Sequence, residues 1–294
     1  MALRRRQSRN IMELRIEHLD YIYQPGTPYE KKALEDISLT IERGEFIGMI
    51  GHTGSGKSTL VQLLNGLLKP SAGKVLADGQ DISSEGYPIR QLRQNVGVVF
   101  QYPESQLFES DILKDICFGP KNQGLTEEEA QQRAREAMRS VGLGESFEKR
   151  SPFELSGGQK RRVAIAGVLA MNPEMLVLDE PTAGMDPEGR REILGLMKAI
   201  QKERKITIVL VSHSMEDMAD YADRLIVLEE GRIRFDDTPR AVFLHTRELE
   251  KMGLKAPQVS YIMRALHQKG WDVDPSITTI DAAVEEILKA VRKE

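Results

Sequence analysis

The chain has 294 residues, of which 40% are hydrophobic and 29% charged, with a formal net charge of −4. That length suits one large domain with additions, or two domains, and the composition is ordinary for a globular protein. The balance of charge argues against a nucleic-acid partner, the single cysteine excludes an intrachain disulfide, and no apolar run reaches the length that spans a bilayer. Val163–Met171 and Ile206–Val211, the longest such runs, read as core. Cys117 reads as a buried thiol in a cytosolic setting. Arg4-Arg5-Arg6 lacks the apolar stretch of a signal peptide, so residues 1–11 read as a tail or as lying before a start at Met12.

In chain order, Glu13–Leu19 and Asp36–Ile41 alternate apolar and polar residues and predict two antiparallel strands. The stretch Tyr21–Pro28 between them is rich in turn residues. Tyr23, and less so Tyr21, can either stack on a base or pack on the sheet. Phe46–Ile50 is a short buried strand, and Leu60–Asn65 suits a helix. Gly73–Leu76 with Asp78-Gly79 predicts a hairpin, and Val96–Phe100 a second buried strand. From Gln101 to Asn172 helical signals replace strand signals. Asp111–Phe118 has helical spacing, Thr126 and Glu129 form a capping box, and Gly157–Met171 predicts a further helix.

The alternation of strand and helix then resumes. Met175–Leu178 is a strand, Asp186-Pro187 caps a helix to about Lys202, and Ile206–Val211, Leu225–Leu228 and Arg232–Phe235 are strands. This order predicts an α/β fold with a parallel sheet, an antiparallel layer and an inserted helical segment. Residues 1–100 and 173–237 are expected to form the core, 101–172 the helical subdomain and 238–294 a helical extension. In the extension, Pro239–His245, Ala256–Gln268 and Thr279–Arg292 predict helices, the last with a continuous apolar stripe that suits packing on its own domain or on a partner.

Between the Phe46–Ile50 strand and its helix lie Gly51, His52, Thr53, Gly54, Ser55, Gly56, Lys57, Ser58 and Thr59, which read G-x-x-x-x-G-K-[ST]. Glycines let successive backbone N–H groups turn toward one anion, and the helix adds its positive end. Lys57 reaches outer phosphates, and the Ser58 hydroxyl suits Mg²⁺. Asp179-Glu180 directly follows the Met175–Leu178 strand. Asp179 suits the magnesium shell, and Glu180 suits a general base for the attacking water. Gln101, past the end of the Val96–Phe100 strand, can touch metal or water, and His213, after Val211-Ser212, the γ-phosphate. Leu155, Ser156, Gly157, Gly158 and Gln159 form a second glycine-bearing helix start. One nucleotide needs only one cradle, so the second is expected to serve another molecule's nucleotide.

These motifs, in this order, resemble those of ATP-binding-cassette ATPases over residues 12 to 237. The resemblance implies that Gly51–Thr59 binds ATP phosphates, Gln101 couples, Leu155–Gln159 closes on a partner's ATP, Asp179 supports Mg²⁺, Glu180 is catalytic and His213 is a switch. Asp186 is similar to the aspartate that links the two sites of a cassette dimer, although Met185 precedes it where a leucine is more usual. A narrower resemblance rests on Gln101–Glu109 (QYPESQLFE) and Asp115–Asn122 (DICFGPKN). These are similar to the energy-coupling-factor ATPases of vitamin and metal importers, and more so to the second, A-prime type. That family implies a partner cassette, usually a different chain, a transmembrane scaffold subunit and a membrane substrate-binding subunit. It also implies a peripheral place on the cytoplasmic face of the membrane. A soluble cassette acting on nucleic acid would carry a long coiled coil or tandem cassettes, and neither is present. A degenerate cassette is disfavoured by Lys57, Glu180 and His213.

Overall fold

The computed structural model describes residues 12–293, so the Arg4–Arg6 tract and the rest of residues 1–11 lie outside the described residues. β1 (Leu14–Tyr23) and β2 (Lys31–Ile41) pair antiparallel. Their alternating residues Leu14, Ile16, Leu19, Ile37, Leu39 and Ile41 are buried. β1 runs past its expected end at Leu19, which confines the turn to residues 24–30. Cross-strand pairing explains the extension: Tyr21 faces Leu34, Tyr23 faces Lys31, and the two tyrosine rings meet edge to face at 4.8 Å.

Next come β3 (Phe46–Ile50), α1 (Lys57–Leu64), β4 (Ala72–Ala77), β5 (Gln80–Asp81), α2 (Ile89–Asn95) and β6 (Val96–Val99). β2, β1, β4 and β5 form one antiparallel sheet in that order. α1 starts at Lys57, ahead of the apolar run at Leu60, because left-handed Gly56 at φ 106° ends the loop there. The helical segment contains α3 (Ile112–Asn122), α4 (Glu127–Ser140) and α5 (Gly157–Ala170). Asp111 caps α3, which extends past Phe118 to Asn122, and the capping box of Thr126 with Glu129 opens α4.

β7 (Met175–Asp179), α6 (Pro187–Arg204), β8 (Thr207–Val211), α7 (Met215–Tyr221), β9 (Arg224–Glu229) and β10 (Arg232–Asp237) complete the core. The second sheet runs β10-β9-β3-β8-β7-β6 and is parallel except for β10. α7 had no clear sequence signal, being a single short stretch started by the Ser214 cap. Both faces of its parallel part are covered, which is why β3, β7 and β8 read as unbroken apolar runs, whereas the edge strand β10 alternates and is largely exposed. Phe46, Ile50, Leu176, Leu178, Ile208 and Leu210 face the helices, in one core with Ile116, Ala134 and Val163 of the helical segment. Ile47, Met49, Val177, Val209 and Val211 pack with the antiparallel sheet and α1.

The C-terminal stretch holds α8 (Pro239–Phe243), α9 (Thr246–Lys251), α10 (Gln258–Gln268) and α11 (Ile280–Lys293), of which α9 was not expected. Val242, Phe243, Leu249 and Met252 belong to the main core. Met263, Val273 and Ala283 form a separate small core between α10 and α11. The only tryptophan, Trp271, sits in this second unit. Phe243→Ala is expected to cost about 3–5 kcal/mol and to shift unfolding of the whole chain. Met263→Ala should instead move the Trp271 fluorescence transition to lower denaturant while the far-UV circular dichroism transition stays near wild type.

Candidate active site

The register of the parallel sheet brings the predicted residues to one edge. Met49 lies beside Val211, Val211 beside Asp179, and Val99 beside Leu178. The glycine loop after β3, the acids at the end of β7 and Ser212-His213 after β8 therefore leave the sheet together. Gln101 leaves from the same edge. It is exposed and has no hydrogen-bond partner among the described residues.

The loop is tight. A Cβ at Gly51 would lie 2.4 Å from the Leu228 carbonyl oxygen, and one at Gly56 would lie 2.8 Å from the Ala33 carbonyl oxygen. Gly54, at φ 83°, has open space above it. Ser55 is fully buried under the loop, and the His52 ring meets the Thr53 carbonyl at 2.8 Å. The Lys57 ammonium donates to the carbonyls of Gly51 at 2.7 Å and His52 at 3.0 Å. Burial lowers its pKa, against the opposing pull of Glu180 and Asp179. Ser58, in the first turn of α1, donates to Asp179 Oδ2 at 3.2 Å. A cavity of about 420 Å³ opens here, lined by Tyr23, Tyr29, Gly54, Lys57, Ser58 and Thr59 among others. The Tyr23 hydroxyl lies 3.0 Å from Thr59 Oγ1, so its ring is pinned as a wall of that cavity.

The two acids take different directions. Asp179 ends β7 and turns to Ser58. Glu180 has a left-handed φ of 51°, which costs a non-glycine residue roughly 1 kcal/mol. Its Oε1 lies 3.5 Å from His213 Nε2 and is buried without a hydrogen bond. Burial, reinforced by Asp179, pushes the Glu180 carboxyl up to about 7, and Lys57 opposes this. Burial also raises Asp179 against the Ser58 hydrogen bond and Lys57. Burial and the Lys57 charge lower His213, with Asp179 opposing. A second cavity of about 290 Å³ adjoins Glu180 and His213, and Thr182, Arg190, Ser212 and Ser214 contribute to its wall. None of these four was singled out from the sequence, because isolated hydroxyls and an arginine carry no spacing signal.

Leu155 is buried, and Ser156 and Gly157 are exposed at the start of α5. Ser156 Oγ accepts from the Gln159 N–H, and Gln159 Oε1 accepts from the Ser156 N–H, a full capping box. None of Leu155–Gln159 lines either cavity beside the glycine loop. Asp186 caps α6 through the Glu188 and Gly189 N–H groups, which hold its carboxyl below the ordinary range. A further cleft of about 710 Å³ lies at the opposite strand ends near Pro173 and Ile206. Its walls mix Arg133, Arg204, Glu136 and Glu203, and no glycine loop reaches it. The residues singled out from the sequence gather instead at the cavities beside the glycine loop and beside Glu180 and His213.

The glycine loop feeding α1, the strand-end acids beside it and the second glycine-bearing helix start keep the order and placement that resemble a cassette ATPase. Comparison with known proteins agrees: the family model for ABC transporters matches residues 34–183. The energy-coupling factor transporter ATP-binding protein EcfA2 of Clostridium tetani is 55% identical over 279 residues, 95% of this chain and 97% of the relative. Its counterpart from Caldanaerobacter subterraneus is 52% identical over 96% of this chain and 98% of the relative. Among solved structures, cbiO1 from Clostridium perfringens, described as part of the ABC transporter complex cbiONQ, is 41% identical with a TM-score of 0.73. It covers 85% of this chain and 98% of its own. A post-hydrolysis dimer of the cassette MJ0796 bound to ADP and Pi is 30% identical with a TM-score of 0.68, covering 77% of this chain and 98% of its own. The chain belongs to the ABC transporter family, among the energy-coupling factor transporter ATP-binding proteins, and is an ATPase.

Gly51→Ala should destabilise the chain by roughly 2–4 kcal/mol in urea unfolding, since its Cβ meets a backbone carbonyl that cannot rotate away.

Proposed function

We propose that this chain energises uptake of vitamins or other micronutrients, working as one of two cassettes on a membrane scaffold subunit that carries a substrate-binding membrane subunit. The partner cassette is a different chain in this reading, and the protein sits peripherally on the cytoplasmic face of the membrane. No helix among the described residues is long and apolar enough to cross a membrane, so the route would lie in other subunits. The observation that carries the reading is the divided site: Leu155–Gln159 lies outside the cavity that holds the glycine loop. The loop is then half of a site that a second cassette's signature completes. The relatives named EcfA2 and the neighbour from the cbiONQ complex support the transporter assignment.

In this reading the loop N–H groups and Lys57 bind the ATP phosphates, and Tyr23 offers its ring to the base. Ser58 Oγ and Asp179 Oδ2 are hard oxygen donors already within 3.2 Å of each other. Such a pair suits magnesium, which takes one or two protein oxygens and fills its octahedron with phosphate and water. Bound there, with Gln101 completing the shell or orienting water, magnesium would neutralise developing charge on the phosphoryl oxygens. Glu180 accepts the proton of the attacking water, held toward His213 by its left-handed backbone. His213 reads the γ-phosphate, and Asp186 joins the two sites across the dimer.

Coupling would run through the segment after Gln101. There Phe108 and Phe118 are exposed and meet edge to face at 5.0 Å, with Leu107 half-buried beside the core. An exposed aromatic pair flanked by polar residues suits docking onto a scaffold helix. On α11, Ile280, Val284, Leu288 and Val291 form an exposed apolar stripe that suits contact with the partner cassette.

Glu180→Gln is expected to keep ATP affinity and to lower turnover by about 10²–10⁴-fold in a pair whose other site is also disabled. Phosphate release near the wild-type rate would remove Glu180 as the base. Ser58→Ala should weaken binding of ATP with magnesium and leave binding of ATP in EDTA nearly unchanged, as read by a fluorescent nucleotide. Leu107→Ala with Phe108→Ala should abolish uptake while nucleotide still binds, and unchanged uptake would remove the docking role.

A further inference from the structure

Arg161, shortly past the Ser156–Gln159 capping box on α5, has a side chain only 5% exposed. Its donors are matched in two directions. Nε and Nη2 donate to the two Glu104 carboxylate oxygens at 3.2 and 2.8 Å, and Nη1 donates to the Ala183 carbonyl at 2.9 Å. Glu104 belongs to the single turn Pro103–Gln106 that follows Gln101. Ala183 lies in the loop between Glu180 and Asp186. One buried guanidinium thus bridges three segments that are distant in sequence and that each adjoin a different part of the site.

A planar fork can hold a carboxylate with one edge and a carbonyl with its remaining nitrogen, which an ammonium cannot do. A buried charge is tolerated only while its partners stay in place. A shift of Glu104 must therefore carry α5 and Ala183 along, or strand an unpaired cation. The neighbouring Arg162 anchors the other side of α5, donating to the Val141 carbonyl at 2.9 Å and the Glu192 carboxylate at 2.5 Å. α5 is thereby tied both to α6 and to the end of α4.

We infer that Arg161 is a positioning residue that makes the turn after Gln101, the N-terminus of α5 and the loop after Glu180 move as one body. The inference rests on the proposed role of Gln101 in registering nucleotide. Through Arg161, occupancy of the glycine loop is delivered to the signature that serves the partner's nucleotide, and to the loop that carries Asp186. The same link lets a membrane subunit pressing on Pro103–Phe108 act on both sites.

Hydrogen exchange on the full-length chain, with and without AMP-PNP and magnesium, tests this. In the wild type, nucleotide should slow exchange in residues 102–109, 155–162 and 181–186 together. Arg161→Lys keeps a charge for Glu104 but cannot span to Ala183, so the response of 181–186 should fall about threefold or more while 102–109 keeps its own. Glu104→Gln should weaken the response of 155–162 in the same way. Arg161→Lys keeps the charge beside Glu104 and should melt within a few degrees of the wild type, whereas Glu104→Gln leaves the buried guanidinium without its counter-charge and should melt lower, so each variant's exchange is read at a temperature well below its own transition. Wild-type responses at 155–162 and 181–186 in both variants would overturn the inference. So would faster exchange throughout α5 before nucleotide is added, which would make Arg161 only a pin of the fold. Silence at 102–109 in the wild type would instead remove Gln101 as the sensor, and the coupling with it.

Discussion

The register among β3, β8 and β7 is the constraint on which the rest depends. It places the glycine loop, Asp179-Glu180 and Ser212-His213 at one edge. A slip by one residue would exchange the two faces of a strand and separate these groups. Because both faces are apolar, hydrophobic patterning alone holds this register weakly. Polar pins supply the rest: the Gln201 side chain donates to the Gly44 carbonyl at 2.6 Å, Asp223 accepts from the Phe46 N–H at 3.1 Å, and the Glu180 N–H donates to the Val211 carbonyl at 2.9 Å. Each lies at a strand end, where a shift would leave buried polar groups unpaired.

Within that frame the site holds one ammonium against two neighbouring carboxylates, all largely removed from water. The three groups raise or lower one another's proton affinity, and burial is the leading cause for each. The backbone resolves the conflict between the acids by turning. Asp179 stays on the strand and meets Ser58. The left-handed Glu180 swings to the far side beside His213. Two adjacent residues thereby reach different walls of the site, which suits one to a cation and the other to a proton.

The helical segment and the C-terminal stretch relate to this centre differently. α3, α4 and α5 share the main core with the sheet, so they are packed on it rather than tethered to it by loops alone. α8 and α9 are part of the same core, α11 closes on a small one with Met263 and Val273, and α10 joins the two, since its Tyr261 packs on the main core and its Arg264 donates to the Phe243 carbonyl. Two separate apolar patches stay exposed: the aromatic pair at Phe108 and Phe118, and the stripe of Ile280, Val284, Leu288 and Val291 on α11.

Much of this was legible in the residues themselves. The phosphate loop, the Asp-Glu pair, the capping boxes at Thr126 and Ser156 and the cap at Asp186 are local features, in which a few neighbouring residues satisfy one another or one ligand. The apolar runs of β3, β7, β8 and β9 announced a sheet buried on both faces. Short elements such as α7 and α9 escaped, since a helix of two turns carries too few positions for a period to stand out. β1 continues beyond its alternating stretch because its last residues are held by cross-strand partners rather than by alternation. The edge at which the motifs meet, the opposite turns of Asp179 and Glu180, and the bridge from Arg161 to Glu104 and Ala183 were decided only by tertiary structure. Their partners lie tens of residues apart, and no spacing along a chain encodes which buried donor will find which acceptor.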